Sequence, residues 1–109
     1  MTLSEIKDRL SLDCVCGSCD GKEWSGVYAG DLLSRAMSHV KADNLWITIM
    51  SNTNVIAVAS LTEAAAVILA EGVELLPEAL DAAKENGIIV LSSTDTVYEL
   101  CAKIANAVK

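Results

Sequence analysis

The chain has 109 residues, of which 52% are hydrophobic, and its 15 acidic and 8 basic residues give a formal net charge of −7. This length suits a single modest core, so we predict one domain over residues 1–109. The negative charge repels phosphate backbones, and two tryptophans and two tyrosines offer little surface for base stacking, so we expect no nucleic-acid binding.

The apolar segments of the chain are short. The longest uninterrupted run, residues 64–70, is far below the roughly 20 residues of a membrane span. The N-terminal residues also lack the pattern of an export signal. We therefore expect a cytoplasmic protein with no membrane partner. In that reducing compartment, the four cysteines are expected to be free thiols or metal ligands rather than disulfides.

The first third of the chain contains two predicted helices. A capping-box pattern at Thr2 and Glu5, followed by apolar residues at helical spacing, predicts a short amphipathic helix over residues 3–11. Residues 13–28 are irregular, with glycines between possible short strands. Asp31 is the predicted N-cap of a second helix, whose apolar face is formed by Leu32, Leu33, Ala36, Met37 and Val40.

Three further strands are predicted from apolar runs. Residues 45–50 form an almost continuous run rich in strand-forming residues, as expected of a strand buried on both faces. Residues 64–70 predict a second buried strand, and residues 88–91 predict a third.

A predicted helix follows each of these strands. The polar corner at residues 51–54 caps a helix that runs to about residue 62. Pro77 in the first turn and Gly87 at the stop define the next helix. The final helix carries an apolar stripe formed by Val97, Leu100, Cys101, Ile104, Ala105 and Val108.

This alternation predicts an α/β fold, a single compact domain with a mostly parallel sheet of three to five strands flanked by helices. In such a sheet, the loops after the parallel strands emerge at one edge, where ligands usually bind. Here these loops are residues 51–54, 71–76 and 92–96.

Two of these loops carry hydroxyl and amide side chains that, with helix N-terminal N–H groups, suit an anionic ligand. The alternative is that these side chains only cap helices, and the same two interpretations apply to Asp31. The candidate ligand-binding residues are Asp31, Ser51, Asn52, Thr53, Asn54, Ser92, Ser93, Thr94 and Asp95.

No catalytic machinery is predicted. The sequence contains no phosphate-loop, dinucleotide-binding, nucleophile-elbow or HExxH motif. The single histidine, His39, is predicted to lie exposed on a helix flank. An enzyme that works through Asp31 or Asp95 lacks a paired base or nucleophile, so we predict no catalytic residues.

The stretch Cys14-x-Cys16-x-x-Cys19 is the remaining chemical motif. Thiolates at this spacing can bind zinc or an iron–sulfur cluster, but structural zinc takes four ligands. The fourth cysteine, Cys101, is predicted to be a core residue. Cys14 and Cys16 also alternate as on a short strand, which places them on one face for packing. We expect no cofactor, with a zinc or iron–sulfur site as the alternative.

Three segments, GVYAGDLLSRAM from Gly26, NLWITIMSNTNVIAVASL from Asn44 and PEALDAAKENGIIVLSS from Pro77, resemble the small stand-alone DRTGG-domain proteins. The resemblance extends over nearly the whole chain and depends on the order and spacing of the segments. In place of the Asp-Arg-Thr-Gly-Gly motif, the chain has roughly residues 51–54, which lack its acid and its arginine.

The resemblance implies a compact α/β domain that commonly forms a homodimer. In larger relatives, this domain accompanies phosphate acetyltransferase domains or lies between CBS modules of regulated pyrophosphatases, in a regulatory or architectural role. Some stand-alone members carry a name that links them to the serine kinase of a sugar-transport phosphocarrier, an activity that this chain cannot have without a phosphate loop.

The predicted function is therefore that of a non-catalytic regulatory or ligand-sensing homodimer, which binds a small anionic metabolite or nucleotide at the strand-end loops. The alternative is a metal-binding or redox accessory protein that uses Cys14, Cys16 and Cys19 and acts with a protein partner.

Overall fold

The computed structural model describes residues 1–108, which form five helices and five strands. In chain order these are α1 (Leu3–Arg9), β1 (Asp13–Cys16), β2 (Val27–Ala29), α2 (Leu33–His39), β3 (Leu45–Thr48), α3 (Thr53–Thr62), β4 (Ala66–Leu69), α4 (Pro77–Asn86), β5 (Val90–Ser92) and α5 (Val97–Ala107). The predicted α/β fold is confirmed. None of the helices in residues 1–108 has the length and apolar character needed to cross a membrane.

The five strands form one mixed sheet in the order β1-β5-β4-β3-β2. Strands β2 to β5 are parallel to one another, with Trp46 opposite Tyr28 on one side and Val67 on the other. Strand β1 pairs antiparallel with β5 and contains a bulge between Cys14 and Cys16. The four parallel strands therefore end at the same edge of the sheet.

The sheet separates two hydrophobic clusters. Leu45 and Ile47 face the cluster that includes residues of α1 and α5, whereas Trp46 faces the cluster that includes residues of α2, α3 and α4. All residues of β3 and β4 are buried, because helices cover both faces of these central strands. The two continuous apolar runs are thus strands buried on both faces, as predicted.

Local capping signals explain most helix boundaries. Helix α1 begins with a capping box formed by Thr2 and Glu5, and α5 begins with one formed by Thr96 and Glu99. Helix α4 begins at Pro77 and ends at Asn86, and its C-cap Gly87 adopts a left-handed conformation with φ 66°. Helix α3 begins earlier than residue 55, at Thr53, with Asn52 as its N-cap.

The second helix differs from the sequence prediction. Asp31 is not its N-cap, because α2 begins one residue later and its N-cap, Leu32, makes no side-chain capping bond. The predicted apolar face is only partly buried, since Leu32 and Met37 are 64% and 51% exposed. Asp31 instead accepts hydrogen bonds from Thr48 and Ile49 at the end of β3.

Candidate functional site

The predicted ligand loops come together at the edge where the parallel strands end. The Leu76 N–H donates to the Ser51 carbonyl at 3.0 Å, and the Gly72 N–H donates to the Ser93 carbonyl at 2.9 Å. The loop after β4 thus connects the loops after β3 and β5. Residues that are distant in sequence form one continuous surface here.

Asp31 connects the loop after β2 to this edge through hydrogen bonds. One carboxylate oxygen accepts from the Thr48 hydroxyl at 2.8 Å and from the Ile49 N–H at 3.0 Å. The Thr48 hydroxyl oxygen in turn accepts from the Met50 N–H at 3.1 Å. Thr48 is fully buried, so these bonds satisfy a polar side chain that water does not reach. Asp31 therefore has a structural role at the strand ends.

The polar corner after β3 mainly caps α3. The Asn52 side-chain oxygen accepts from the Asn54 N–H at 3.1 Å, as expected of an N-cap residue. Ser51 is half-buried, whereas Thr53 and Asn54 are exposed in the first turn of the helix. Asn52 therefore caps the helix, as one of the two interpretations predicted. Thr53 and Asn54 expose polar groups to solvent.

The loop after β5 has a more elaborate polar structure. The Ser93 hydroxyl oxygen accepts from the Asp95 N–H at 3.0 Å, and Thr94 is exposed. The Asp95 carboxylate forms an ion pair with Lys103 on α5 at 2.6 Å. This hydrogen bond raises the pKa of Lys103 above its usual value. Ser92, the last residue of β5, is half-buried.

A polar cleft of about 260 Å³ opens beside this loop. Its lining residues are Arg9, Leu10, Ser11, Asp13, Ser93, Thr94, Asp95 and Lys103. Arg9, Leu10 and Lys103 also line an adjoining cleft of about 400 Å³, which continues to Asn106 and Ala107. The two clefts contain two of the eight basic residues of an otherwise acidic chain.

Sequence analysis missed the two cations of this cleft. Arg9 ends α1, and its Nη1 donates to the Ala107 carbonyl, 98 residues away, at 3.2 Å. Lys103 is an exposed residue in the middle of α5. The only sequence signal was a basic residue in the last turn of a short helix, and nothing local indicates that α1 packs against α5.

The three clustered cysteines lie in different surroundings. Cys14 is exposed, whereas Cys16 and Cys19 are each 8% exposed and belong to the clusters on opposite faces of the sheet. The prediction that Cys14 and Cys16 share a face is wrong, because the bulge interrupts the alternation of β1. Within residues 1–108, no three His, Cys, Asp or Glu side chains are grouped to hold a metal ion.

An apolar groove of about 550 Å³ lies between the edge strand β2 and α5. No side chain in its lining is charged, and the lining residues are Met1, Trp24, Ser25, Gly26, Val27, Ala29, Cys101, Ile104, Ala105 and Val108. Cys101 is half-buried here rather than fully in the core, and burial raises the pKa of its thiol. The Trp24 indole N–H is buried with no hydrogen-bond partner among the described residues.

Comparisons with known proteins agree with this architecture. The sequence model of the DRTGG domain matches residues 5–107. The structure is similar to the crystal structure of the CBS and DRTGG domains of the regulatory region of Clostridium perfringens pyrophosphatase, complexed with its activator diadenosine tetraphosphate, with a TM-score of 0.78 and 18% identity.

The superposition covers 94% of this chain but 45% of the pyrophosphatase chain, so the present chain spans about half of the compared region. At that identity, the similarity establishes a common fold. A search among curated proteins gave no match. Because the domain model matches almost the full length, the predicted resemblance is confirmed and the chain belongs to the DRTGG-domain family.

Proposed function

We propose that this chain is a regulatory, ligand-sensing domain without catalytic activity, which binds a phosphate-bearing ligand of the nucleotide class in the cleft between Arg9 and Lys103. The family match and the similarity to a regulatory region complexed with diadenosine tetraphosphate support a sensing role. The observation that carries the proposal is that two cations line one cleft together with the Ser93–Asp95 loop. Cytoplasmic location stays a prediction.

The charge of the chain makes this cleft the favoured place for an anion. With a net charge of −7, most of the surface repels phosphate, so binding needs local cations. The guanidinium of Arg9 matches the geometry of a phosphate group, and the ammonium of Lys103 adds a second positive charge. The Ser93 hydroxyl oxygen is already an acceptor, which leaves its hydrogen free to donate to the ligand.

The acidic residues of the cleft fit the remainder of a nucleotide. Asp13 and Asp95 line the same cleft as the cations, and carboxylates accept hydrogen bonds from ribose hydroxyls. Asp95 also holds the Lys103 ammonium, which has three N–H donors and can bond a phosphate without releasing Asp95. A phosphate next to a polar sugar therefore suits this site better than an isolated anion does.

Isothermal titration calorimetry with AMP, ATP, diadenosine tetraphosphate and inorganic phosphate tests this assignment. We expect at least one nucleotide to bind, with an affinity that falls as salt rises. Arg9→Gln and Lys103→Gln should each weaken binding by roughly 10-fold or more, since a hydrogen bond to a charged group is worth about 1.5–3 kcal/mol. Lys84→Gln on α4 is the matched control.

Two results would contradict the assignment. One is the absence of heat and of thermal stabilisation with all four ligands at millimolar concentration. The other is unchanged affinity in both cleft variants together with a loss in Asn54→Ala, which would move the ligand to the corner after β3.

We also propose that the predicted homodimer forms through the apolar groove and the free edge of β2. The Gly26 carbonyl and the Gly30 N–H form hydrogen bonds with β3. Because the main-chain groups of successive strand residues point to opposite sides, those of Val27 and Ala29 point away from β3, toward the free edge. A second copy is the partner that fits best, because the lining contains no acidic side chain and two chains of charge −7 can approach there without their carboxylates in contact.

Sedimentation equilibrium at micromolar concentration tests this interface. We expect a dimer for the natural chain and a monomer for Val27→Lys, because the substitution places a charge on the edge strand. Leu61→Lys is the matched control, since Leu61 is 69% exposed on α3, away from the groove. A monomeric natural chain, or a dimer broken by Leu61→Lys alone, would refute the proposed interface.

A further inference from the structure

Two of the clustered cysteines line one cleft, and the third lines another. Cys14 and Cys19 border a cleft of about 470 Å³ together with residues of α1, among them Lys7. Cys16 borders a separate cleft with residues near α4, among them Ala83. The turn formed by Gly17 and Ser18 lies between the two clefts and contributes to both. The fold thus separates Cys16 from the other two thiols.

The chain between Cys14 and Cys19 turns back on itself. The Cys14 thiol donates to the Gly17 carbonyl at 3.1 Å, and Gly17 has a left-handed φ of 87°. The Cys19 carbonyl accepts from the Ser4 hydroxyl at 3.3 Å and from the Lys22 N–H at 3.2 Å. These bonds fix the loop against α1, so the backbone next to each thiol is held in place.

The surroundings of the Cys19 thiol affect its pKa. Burial is the main reason that the pKa of Cys19 is raised, and the neighbouring Cys14 raises it further, while Lys7 opposes the shift. Cys14 is exposed, whereas Cys19 is almost fully buried. An accessible thiol and a protected one therefore line the same cleft, as expected of an attacking and a resolving cysteine.

We infer that Cys14 and Cys19 form a two-thiol redox site, which closes to an intramolecular disulfide in the presence of glutathione disulfide, and that Cys16 and Cys101 take no part. This site is independent of the nucleotide cleft and of the β2 edge. A disulfide between Cys14 and Cys19 requires neither a metal ion nor a fourth ligand.

The reaction proceeds in two exchange steps. The Cys14 thiolate attacks one sulfur of glutathione disulfide, forms a mixed disulfide and releases one glutathione thiolate, which takes a proton. Cys19 then loses its proton, attacks the Cys14 sulfur and releases the second glutathione. In total, two cysteine thiols are oxidised by two electrons and one glutathione disulfide is reduced to two glutathione molecules.

Peptide mass spectrometry after incubation with glutathione disulfide tests the pairing. We expect a Cys14–Cys19 linkage in the natural chain and in the Cys16→Ala and Cys101→Ala variants. Cys14→Ser, which changes an exposed residue and should fold, is expected to lose the linkage. A disulfide that contains Cys16 or Cys101, or glutathione that stays on Cys14 in the natural chain, would overturn the inference.

A second probe tests proximity without oxidation. Phenylarsine oxide condenses with two thiols to form two As–S bonds and releases one water molecule. We expect one arsenical per reduced chain by intact mass, retained in Cys16→Ala and lost in Cys14→Ser. Equal binding by the natural chain and Cys14→Ser, or loss of binding in a folded Cys16→Ala variant, would contradict the two-thiol site.

Discussion

The Asp31 carboxylate joins the loop before α2 to the end of β3 through the Thr48 hydroxyl, at 2.8 Å. Asp31→Ala would leave this fully buried hydroxyl and the Ile49 N–H without their acceptor. We therefore expect the free energy of unfolding in urea to fall by about 1–3 kcal/mol. Asp31→Asn keeps an oxygen acceptor and should lose less. Equal stability of the natural chain and Asp31→Ala would refute this role.

The two tryptophans provide a matched pair of substitutions. Trp46 is fully buried and its indole N–H donates to the Gly30 carbonyl at 3.0 Å, so Trp46→Phe should cost about 1–3 kcal/mol in urea unfolding. The Trp24 N–H is buried without a partner among residues 1–108, so Trp24→Phe removes an unsatisfied donor. We expect Trp24→Phe to be close to neutral or stabilising. The reverse order would contradict this assignment of hydrogen bonds.

Gly17, in the turn between the two cysteine clefts, is required for two reasons, and Gly21 provides a comparison for one of them. Gly17 and Gly21 both have positive φ, at 87° and 70°, which costs an alanine roughly 1–2 kcal/mol. A Cβ on Gly17 would also lie 3.0 Å from the Ile89 Cγ1 atom, whereas a Cβ on Gly21 meets nothing within 4 Å. Thermal unfolding should therefore show a larger loss for Gly17→Ala than for Gly21→Ala. Equal losses would mean that only φ matters.

The ion pair between Lys103 and Asp95 predicts a stability difference that depends on pH. The pKa of Lys103 is raised above 10.5 in the folded chain. The contribution of the ion pair to stability is therefore complete below pH 10.5 and disappears as the pH rises through the pKa of Lys103 in the folded chain. The melting temperature of Lys103→Gln should therefore lie below that of the natural chain at neutral pH and approach it in strong alkali. A constant difference would indicate a contribution that does not depend on charge.

The cysteines should differ in their rates of alkylation. Cys14 is exposed, whereas burial protects Cys19 and raises the pKa of its thiol. With iodoacetamide near neutral pH, we expect Cys14 to be modified first and Cys19 slowly, as measured by peptide mass spectrometry over time. Denaturation should remove the difference. Faster alkylation of Cys19 in the folded chain would place it outside the core.

Features that depend on neighbouring residues were predictable from the sequence. The capping box at Thr2 and Glu5 and the proline at Pro77 act within a single turn, so they identify helix ends without tertiary information. The apolar runs of β3 and β4 predicted central strands because burial on both faces leaves no polar alternation.

Features that depend on distant pairing were not predictable. Asp31 has the sequence context of a helix cap, yet its carboxylate accepts a hydrogen bond from the Thr48 hydroxyl on an adjacent strand. The bulge of β1 arises from antiparallel pairing with β5, which nothing near Cys14 indicates. The meeting of Arg9 and Lys103 likewise depends on how α1 and α5 pack on the same face of the sheet.

The two edges of the sheet differ in their capacity to add further strands. Strand β1 carries a bulge that disrupts regular pairing, whereas β2 has a regular parallel register with β3. If two chains join through β2, only bulged edges remain at the two ends of the combined sheet. In that arrangement, association would stop at two chains, because the bulge of β1 disrupts regular pairing at both ends of the combined sheet.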